Sequence, residues 1–209
     1  VGKIEVAARL VVVSTAILAT AACSAGGATG TAASTSAAAE LSSSPLPKGE
    51  QAPPIPNPLD PAGLVEDPCH SLTVAQASDL GVQERGTKKD VGIDDIKGCD
   101  WKFGANLEWK IQVAYAVPHP RNGLQNLYDQ NTAGKYANGY FMPTSISGYP
   151  SVFNGRADTR PHGRCDLSVG INPEMLLDVA VTGRTDKDNC TAASTVAELI
   201  ITTIKSGGN

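Results

Sequence analysis

The chain has 209 residues, 41% hydrophobic but only 5% aromatic, with five cysteines and a formal net charge of −4. A mild acidic balance excludes electrostatic attachment to nucleic acid or to an anionic lipid surface. The length suits one globular domain with flanking segments rather than a string of domains.

The chain opens on a leader. Residues 1–9 carry Lys3 and Arg9 against Glu5, and residues 10–22 (LVVVSTAILATAA) are apolar or small and uncharged. That run is shorter than the ~20 apolar residues a helix needs to span hydrocarbon. A basic start, a short apolar run and a small-residue cleavage site are the parts of a signal peptide. Cys23 closes the run Ala19-Thr20-Ala21-Ala22-Cys23, which reads as a bacterial lipoprotein cleavage site, although Thr20 stands where Leu is commonest. Acyl chains on Cys23 would give stable anchoring by the two-signal argument. The expected address is therefore the extracytoplasmic face of the cell membrane, reached through lipid on Cys23. Loss of residues 1–22 removes two cations and one anion and moves the charge from −4 to −5.

Residues 23–65 read as the lipidated Cys followed by a disordered tether. Residues 24–44 are almost wholly Ala, Ser, Gly and Thr, and residues 45–61 hold seven of the chain's 14 prolines. Such a stretch buries too little apolar surface to offset its ordering entropy. The first part is expected to be flexible and the second stiffened toward polyproline II, spanning roughly 35 Å or more.

The folded domain is placed at 66–209. Asp67-Pro68-Cys69 begins a tight turn. Thr73-Val74-Ala75-Gln76 is a capping-box pattern and Gly81 a stop, which predicts a short helix over 74–80. Residues 82–97 give a weak strand and a loop. Leu107, Trp109, Ile111, Val113, Tyr115 and Val117 alternate with more polar neighbours, which predicts a strand ended by Pro118 and Pro120. Leu124, Leu127, Tyr128 and Asn131 have helical spacing, so a helix is predicted over 122–132. Residues 135–163 read as loop-rich, with one strand near 145–158. Cys165, Leu167, Val169 and Ile171 alternate with Asp166, Ser168 and Gly170; Leu177, Val179 and Val181 alternate with Asp178, Ala180 and Thr182. These are two strands joined by a hairpin turn at Asn172-Pro173-Glu174. Asp188 or Asn189 caps a long helix whose apolar stripe is Ala193, Val196, Ala197, Ile200 and Ile204, ended by Gly207. The pattern predicts an α+β fold: a single domain, an antiparallel sheet with helices packed on one face.

Cys69, Cys99, Cys165 and Cys190 fall in this domain. Four cysteines in an exported domain imply two disulfides, with three connectivities open. A metal site is disfavoured because there is no C-x-x-C pair and no Cys-His cluster at ligand spacing. The set Asp67-Pro68-Cys69, Cys99-x-Trp101, Gly148-Tyr149-Pro150, strand Cys165 and helix-opening Cys190 resembles an actinobacterial lipoprotein family designated domain of unknown function 3558. The chain departs from the family's pattern at Asp100, where Ser is more usual, and at Thr191, where an acidic residue is common. The resemblance implies localisation and fold rather than an activity. Cys69 and Cys190 each open a predicted helix, while Cys99 and Cys165 each open a predicted strand. On that likeness we expect the pairs Cys69–Cys190 and Cys99–Cys165.

Little in the sequence points to chemistry. His70, His119 and His162 read as loop residues, and no G-x-S-x-G, H-E-x-x-H, Walker or dinucleotide pattern occurs. No catalytic residue, metal or cofactor is expected. Trp101 and Trp109 read as core. Tyr136, Tyr140, Phe141, Met142, Tyr149 and Phe153 lie outside any strong period, and Tyr136, Tyr140, Phe141 and Tyr149 are the candidate binding surface. The function expected is a binding or accessory module at the cell envelope, including envelope sensing, with an envelope protein, lipid or wall component as partner and no nucleic acid. The alternatives are a cell-wall-active hydrolase and a purely structural envelope protein; an enzyme is not the favoured reading.

Overall fold

The computed structural model describes residues 49–90, 96–104, 106–116 and 123–208, all within the compact unit Pro45–Asn209. The leader, Cys23, the tether up to residue 48 and His119 lie outside the described residues. In chain order the elements are helices α1 (Ala62–Glu66) and α2 (Val74–Asp79), strands β1 (Thr87–Asp90), β2 (Ile96–Phe103) and β3 (Trp109–Ala116), and helix α3 (Leu124–Thr132). They continue with strands β4 (Tyr140–Ile146), β5 (Tyr149–Gly155), β6 (Arg164–Asn172) and β7 (Met175–Thr182) and helix α4 (Asn189–Lys205).

The strands form one seven-stranded sheet in the order β1-β2-β3-β7-β6-β5-β4, and every neighbouring pair is antiparallel. Two meanders, β1–β3 and β4–β7, are therefore joined by one seam, the β3–β7 ladder from Lys110↔Thr182 to Tyr115↔Leu177. The predicted strand over 107–117 is β3, shortened at its start. Leu107 adopts φ 54° and its N–H closes a turn on the Gly104 carbonyl at 3.1 Å. It therefore belongs to the β2–β3 turn and is exposed. The single strand expected near 145–158 is a hairpin instead, β4 and β5, turning at Ser147 (φ 50°) and Gly148 (φ 86°). Two left-handed residues make the turn whose twist suits a hairpin.

Strand alternation sorts the side chains. Trp101, Ile111, Val113, Tyr115, Leu167, Val169, Leu177, Val179 and Val181 lie on one face in the main core. Ala193, Val196, Ala197, Ile200, Ile201 and Ile204 of α4 cover them, with Leu64 and Val65 of α1 at the side. Each fully buried aliphatic side chain contributes about 1.5–3 kcal/mol relative to exposure. The capping box at α2 forms in both directions, Thr73 N–H to Gln76 Oε1 at 2.8 Å and Gln76 N–H to Thr73 Oγ1 at 3.2 Å. Gln76 also donates to the Leu199 carbonyl at 3.1 Å and accepts from Thr203 at 3.0 Å, which docks α2 on α4. Asp188 caps α4 by accepting from the backbone of Cys190 and Thr191, both at 3.0 Å. Gly207 and Gly208 end the helix in left-handed conformations, their N–H groups bonded to the Ile204 and Thr203 carbonyls in a Schellman arrangement.

Not all helices share that face. Leu124, Leu127 and Tyr128 of α3 form a separate small core with Val152 and Leu176. Those two strand residues alternate with the main-core positions, so α3 packs on the opposite face. The expectation of helices on one face holds for α1, α2 and α4 and is corrected for α3.

Part of the proline-rich segment also packs on the domain, ahead of the expected boundary at 66. Leu59 donates to the Ile171 carbonyl at 2.8 Å, and its own carbonyl accepts from Asn172 at 3.2 Å. Ala52 donates to Gln125 at 2.9 Å, and Ile55 and Leu59 pack against the main core. An extended proline-rich chain needs no internal hydrogen bonds. A few apolar anchors therefore suffice to hold it as a strap, and average composition conceals them.

The disulfides are Cys69–Cys99 and Cys165–Cys190, each with Cα atoms 5.1 Å apart. This corrects the expected pairing. Cys99 on β2 and Cys165 on β6 share the main-core face, but β3 and β7 lie between them. Three strand spacings of about 4.8 Å put them beyond disulfide reach. Each strand cysteine bonds instead to the segment above it: Cys99 to the 3-10 turn Pro68–His70, Cys165 to the first turn of α4. The chain before β1 crosses so close that a Cβ on Gly86 would collide with Cys99 Sγ and the Trp101 indole. Buried Ser71 and Tyr115 share a 2.8 Å hydrogen bond that holds the same turn on β3. The closed loops, with separations of 30 and 25 residues, correspond to about 3.5 kcal/mol each in the chain-entropy account. Peptide mapping without reductant is expected to recover Cys69–Cys99 and Cys165–Cys190 fragments; recovery of Cys99–Cys165 would contradict this topology.

Candidate functional site

The aromatic residues expected to form a binding surface are dispersed into the fold. Tyr136, Tyr140 and Tyr149 are only 7%, 4% and 3% exposed, and Phe141 is half-buried. Phe141 meets Tyr128 edge-on at 5.1 Å and Tyr136 at 5.3 Å. The Tyr140 hydroxyl accepts from the Asp166 N–H at 3.0 Å, and the Arg160 guanidinium covers its ring at 4.2 Å. Tyr149 donates to the Asn57 carbonyl at 3.0 Å. Consecutive residues 140 and 141 of a strand point to opposite faces, so these four side chains share no surface. They seal the β4–β5 hairpin against its neighbours.

The open surface lies on the face that α3 only partly covers. Past Leu127 and Leu176, the strands β2, β3, β7, β6 and β5 form the floor of a groove of about 700 Å³. Its depth comes from small residues on the central strands: Gly98 lies opposite Ala114, and Ala180 lies opposite both Gln112 and Asp166. Gly98 is required there, because a Cβ would stand 2.6 Å from the Val113 carbonyl oxygen. The chain from Gly155 to Thr159 forms the rim at one side.

Two polar chains run along the floor. In the first, Lys110 Nζ lies 3.1 Å from Asp100, which also accepts from Gln112 at 3.2 Å. Gln112 in turn accepts from Arg164 Nη1 at 2.6 Å. Arg164 holds Asp166 with its other two nitrogens in a bidentate pair. The short Ala180 side chain lets Arg164 reach from β6 over β7 to Gln112 on β3. In the second chain, Asn154 donates to Ser168 Oγ at 2.9 Å and Ser168 donates to Asp178 Oδ1 at 2.5 Å.

Asp178 is the unusual member. Burial at the foot of the groove pushes its carboxyl up to about 6, the Ser168 hydrogen bond opposes the shift, and the Asp166 charge adds to it. No cation acts on it among the described residues. In contrast, the Thr191 backbone N–H holds the Asp188 carboxyl below the usual range. Perturbed groups in a concave site mark functional positions more often than structural ones. The residues of the two chains come from five strands: Asp100 from β2, Lys110 and Gln112 from β3, Asn154 from β5, Arg164, Asp166 and Ser168 from β6, and Asp178 from β7. The strand order is what sets them side by side.

His70 and His162 are exposed in 3-10 turns, and neither lines the groove. No three of the described His, Cys, Asp and Glu residues converge as a metal-binding group. No helix among the described residues is long and apolar enough to cross a membrane.

A single antiparallel sheet, braced by one disulfide in each meander and open on one polar face, defines a compact α+β domain of the disulfide-bonded class. The chain belongs to the family described as Protein of unknown function (DUF3558), whose model matches residues 18–203. No curated protein and no solved structure matches it.

An acid raised on folding binds more protons in the folded than in the unfolded chain at mildly acid pH. Asp178 therefore lowers stability as pH rises from about 4 through 6, and the deficit persists above that. Asp178→Asn is expected to raise the melting temperature at pH 7.5, by about 3 kcal/mol in stability, and to leave it nearly unchanged at pH 4. Thermal melts at the two pH values check the sign; a destabilised variant at pH 7.5 would contradict the assignment.

Proposed function

We propose that the protein is a membrane-anchored extracytoplasmic lipoprotein acting as a binding or accessory module at the cell envelope, envelope sensing included, with the groove as its recognition surface. The observation that carries this reading is the uncovered half of the second sheet face. There two polar chains, from Asp100 to Asp166 and from Asn154 to Asp178, line a cavity instead of a flat solvated surface. The leader ending at Cys23 supports the anchor, and two disulfides suit an oxidising compartment. The partner would be an envelope protein, lipid or wall component.

A wall-active hydrolase is the second reading, and one observation favours it. Asp166 and Asp178 share the groove, and a raised carboxyl near a second carboxylate is the pairing that general acid catalysis uses. Binding is preferred because Arg164 already grips Asp166 with two nitrogens and no histidine lines the groove among the described residues.

The test uses the whole chain in its native membrane. Fatty-acid label is expected on the parent and not on Cys23→Ala. A photocrosslinking residue at Ala157 on the groove rim is expected to capture one partner reproducibly. The same residue at Val74, which is 90% exposed and lies outside the groove, is expected to capture none. Equal label on both chains would end the anchor assignment, and equal capture at both positions would end the groove assignment.

A further inference from the structure

We propose that the groove binds a primary ammonium group carried on an apolar stem, with Asp178 as its counter-ion. This rests on the reading of the groove as a recognition surface and adds the chemistry of what it recognises.

The charges in the groove are unevenly settled. Arg164 spends all three of its nitrogens on Asp166 and Gln112. Arg156 donates to Gln130 at 3.2 Å, and Lys110 is paired with Asp100. The guanidinium groups that line the groove therefore have acceptors, and Lys89, which reaches the groove from β1 three strands away, is not among the charges that act on Asp178. Asp178 is in the opposite position. The groups around it are Ser168 and Asp166 on β6, Asn154 on β5 with Arg156 beyond its end, Gln112 and Ala114 on β3, and Leu127 of α3. Tyr136, in the turn after α3, feels the Asp178 charge, which raises its phenol in part; burial is the larger cause. The one charge that acts on Asp178 in return is Asp166, and it repels. A half-buried carboxylate without a cation beside it costs free energy. A ligand cation would relieve that cost.

The geometry distinguishes which cation. Asp178 Oδ1 is taken by Ser168, which leaves Oδ2 with no hydrogen bond among the described residues. Asn154 spends its amide nitrogen on the Val152 carbonyl and on Ser168, so its carbonyl oxygen also accepts nothing among them. A guanidinium fork seeks two oxygens of one carboxylate, whereas an ammonium is a point charge with three separate donors. Single open oxygens on neighbouring residues suit the ammonium. Leu127 and Leu176 close the α3 end of the groove and give an alkyl stem an apolar wall. The same chemistry is offered by a lysine-type side chain of a peptide and by a small free alkylamine.

The experiment follows backbone amide shifts of the full chain by NMR against three probes: acetyl-Gly-Lys-Gly-amide, the same peptide acetylated on the lysine nitrogen, and n-butylamine. At pH 7.5 the unmodified peptide is expected to give saturable shifts at Ser168, Asp178 and Asn154. The acetylated peptide should give none. Asp178→Asn should weaken binding at least tenfold while remaining folded by its melting curve. At pH 5 the parent should bind about tenfold more weakly, since a carboxyl at about 6 is then about one-tenth ionised. Tighter binding of the peptide than of butylamine identifies a peptide side chain as the source; equal binding identifies a small amine. Equal response to the acetylated peptide, unchanged affinity in Asp178→Asn, or no saturable shift with either amine overturns the proposal. A partner captured at Ala157 together with silent amine probes removes the ammonium assignment and leaves the groove reading standing.

Discussion

The β3–β7 ladder is the constraint on which the rest depends. Helix α4 packs chiefly on β6 and β7 of the second meander, and the seam joins that half to the first and supplies the central strands of both faces. On one face it aligns Val113 with Val179 and Tyr115 with Leu177, the middle of the main core. On the other it sets Gln112 against Ala180 and Ala114 against Asp178, the middle of the groove. The disulfides do not cross this seam. Cys69–Cys99 fastens a turn to the first meander, and Cys165–Cys190 fastens α4 to the second. Packing, backbone hydrogen bonds and side-chain bonds such as Arg164–Gln112 and Thr203–Gln76 hold the two halves together. Covalent bracing within each half lowers the chain entropy that those contacts must overcome.

The seam also explains what the sequence made legible and what it did not. Period-two alternation identified β3, β6 and β7 because each is half-buried or better, and capping chemistry identified α2 and α4 at Thr73 and Asp188. The β4–β5 hairpin was less legible. Pro143, Thr144 and Ser145 sit exposed on an edge strand, where a sheet gains protection from polar residues and proline rather than from alternation. The tyrosines nearby read as a loop surface because burial at a hairpin seal leaves no periodic trace. Disulfide connectivity depends on strand order, which a single sequence does not encode locally. The polar floor was hidden for the same reason. Asp166, Ser168 and Asp178 each occupy an unremarkable polar slot in a strand pattern, and only the register brings them together.

The polar floor has an energetic logic. Its first chain is self-neutralising: two acids, two bases and one amide settle one another across three strands. The second chain ends on a carboxyl with a hydroxyl partner and no cation. A domain of this size gains nothing for its own folding from such a group. The proposed role for Asp178 gives that cost a purpose, since a site that is incomplete without its ligand discriminates through the group left unmatched. The strap over residues 49–61 bears on the same reading. It runs along α3 through Ala52 and Gln125, so the chain joins the domain on the side of the helix that walls the groove.

The central claim is that the open face holds a half-buried carboxyl without a counter-ion. Titration of the Asp178 side-chain carboxyl carbon by NMR, in the full chain without added ligand, tests it most directly. The account predicts a midpoint at about 6. A midpoint in the ordinary aspartate range, near ~3.9, would show that Asp178 is solvated or paired and would contradict it.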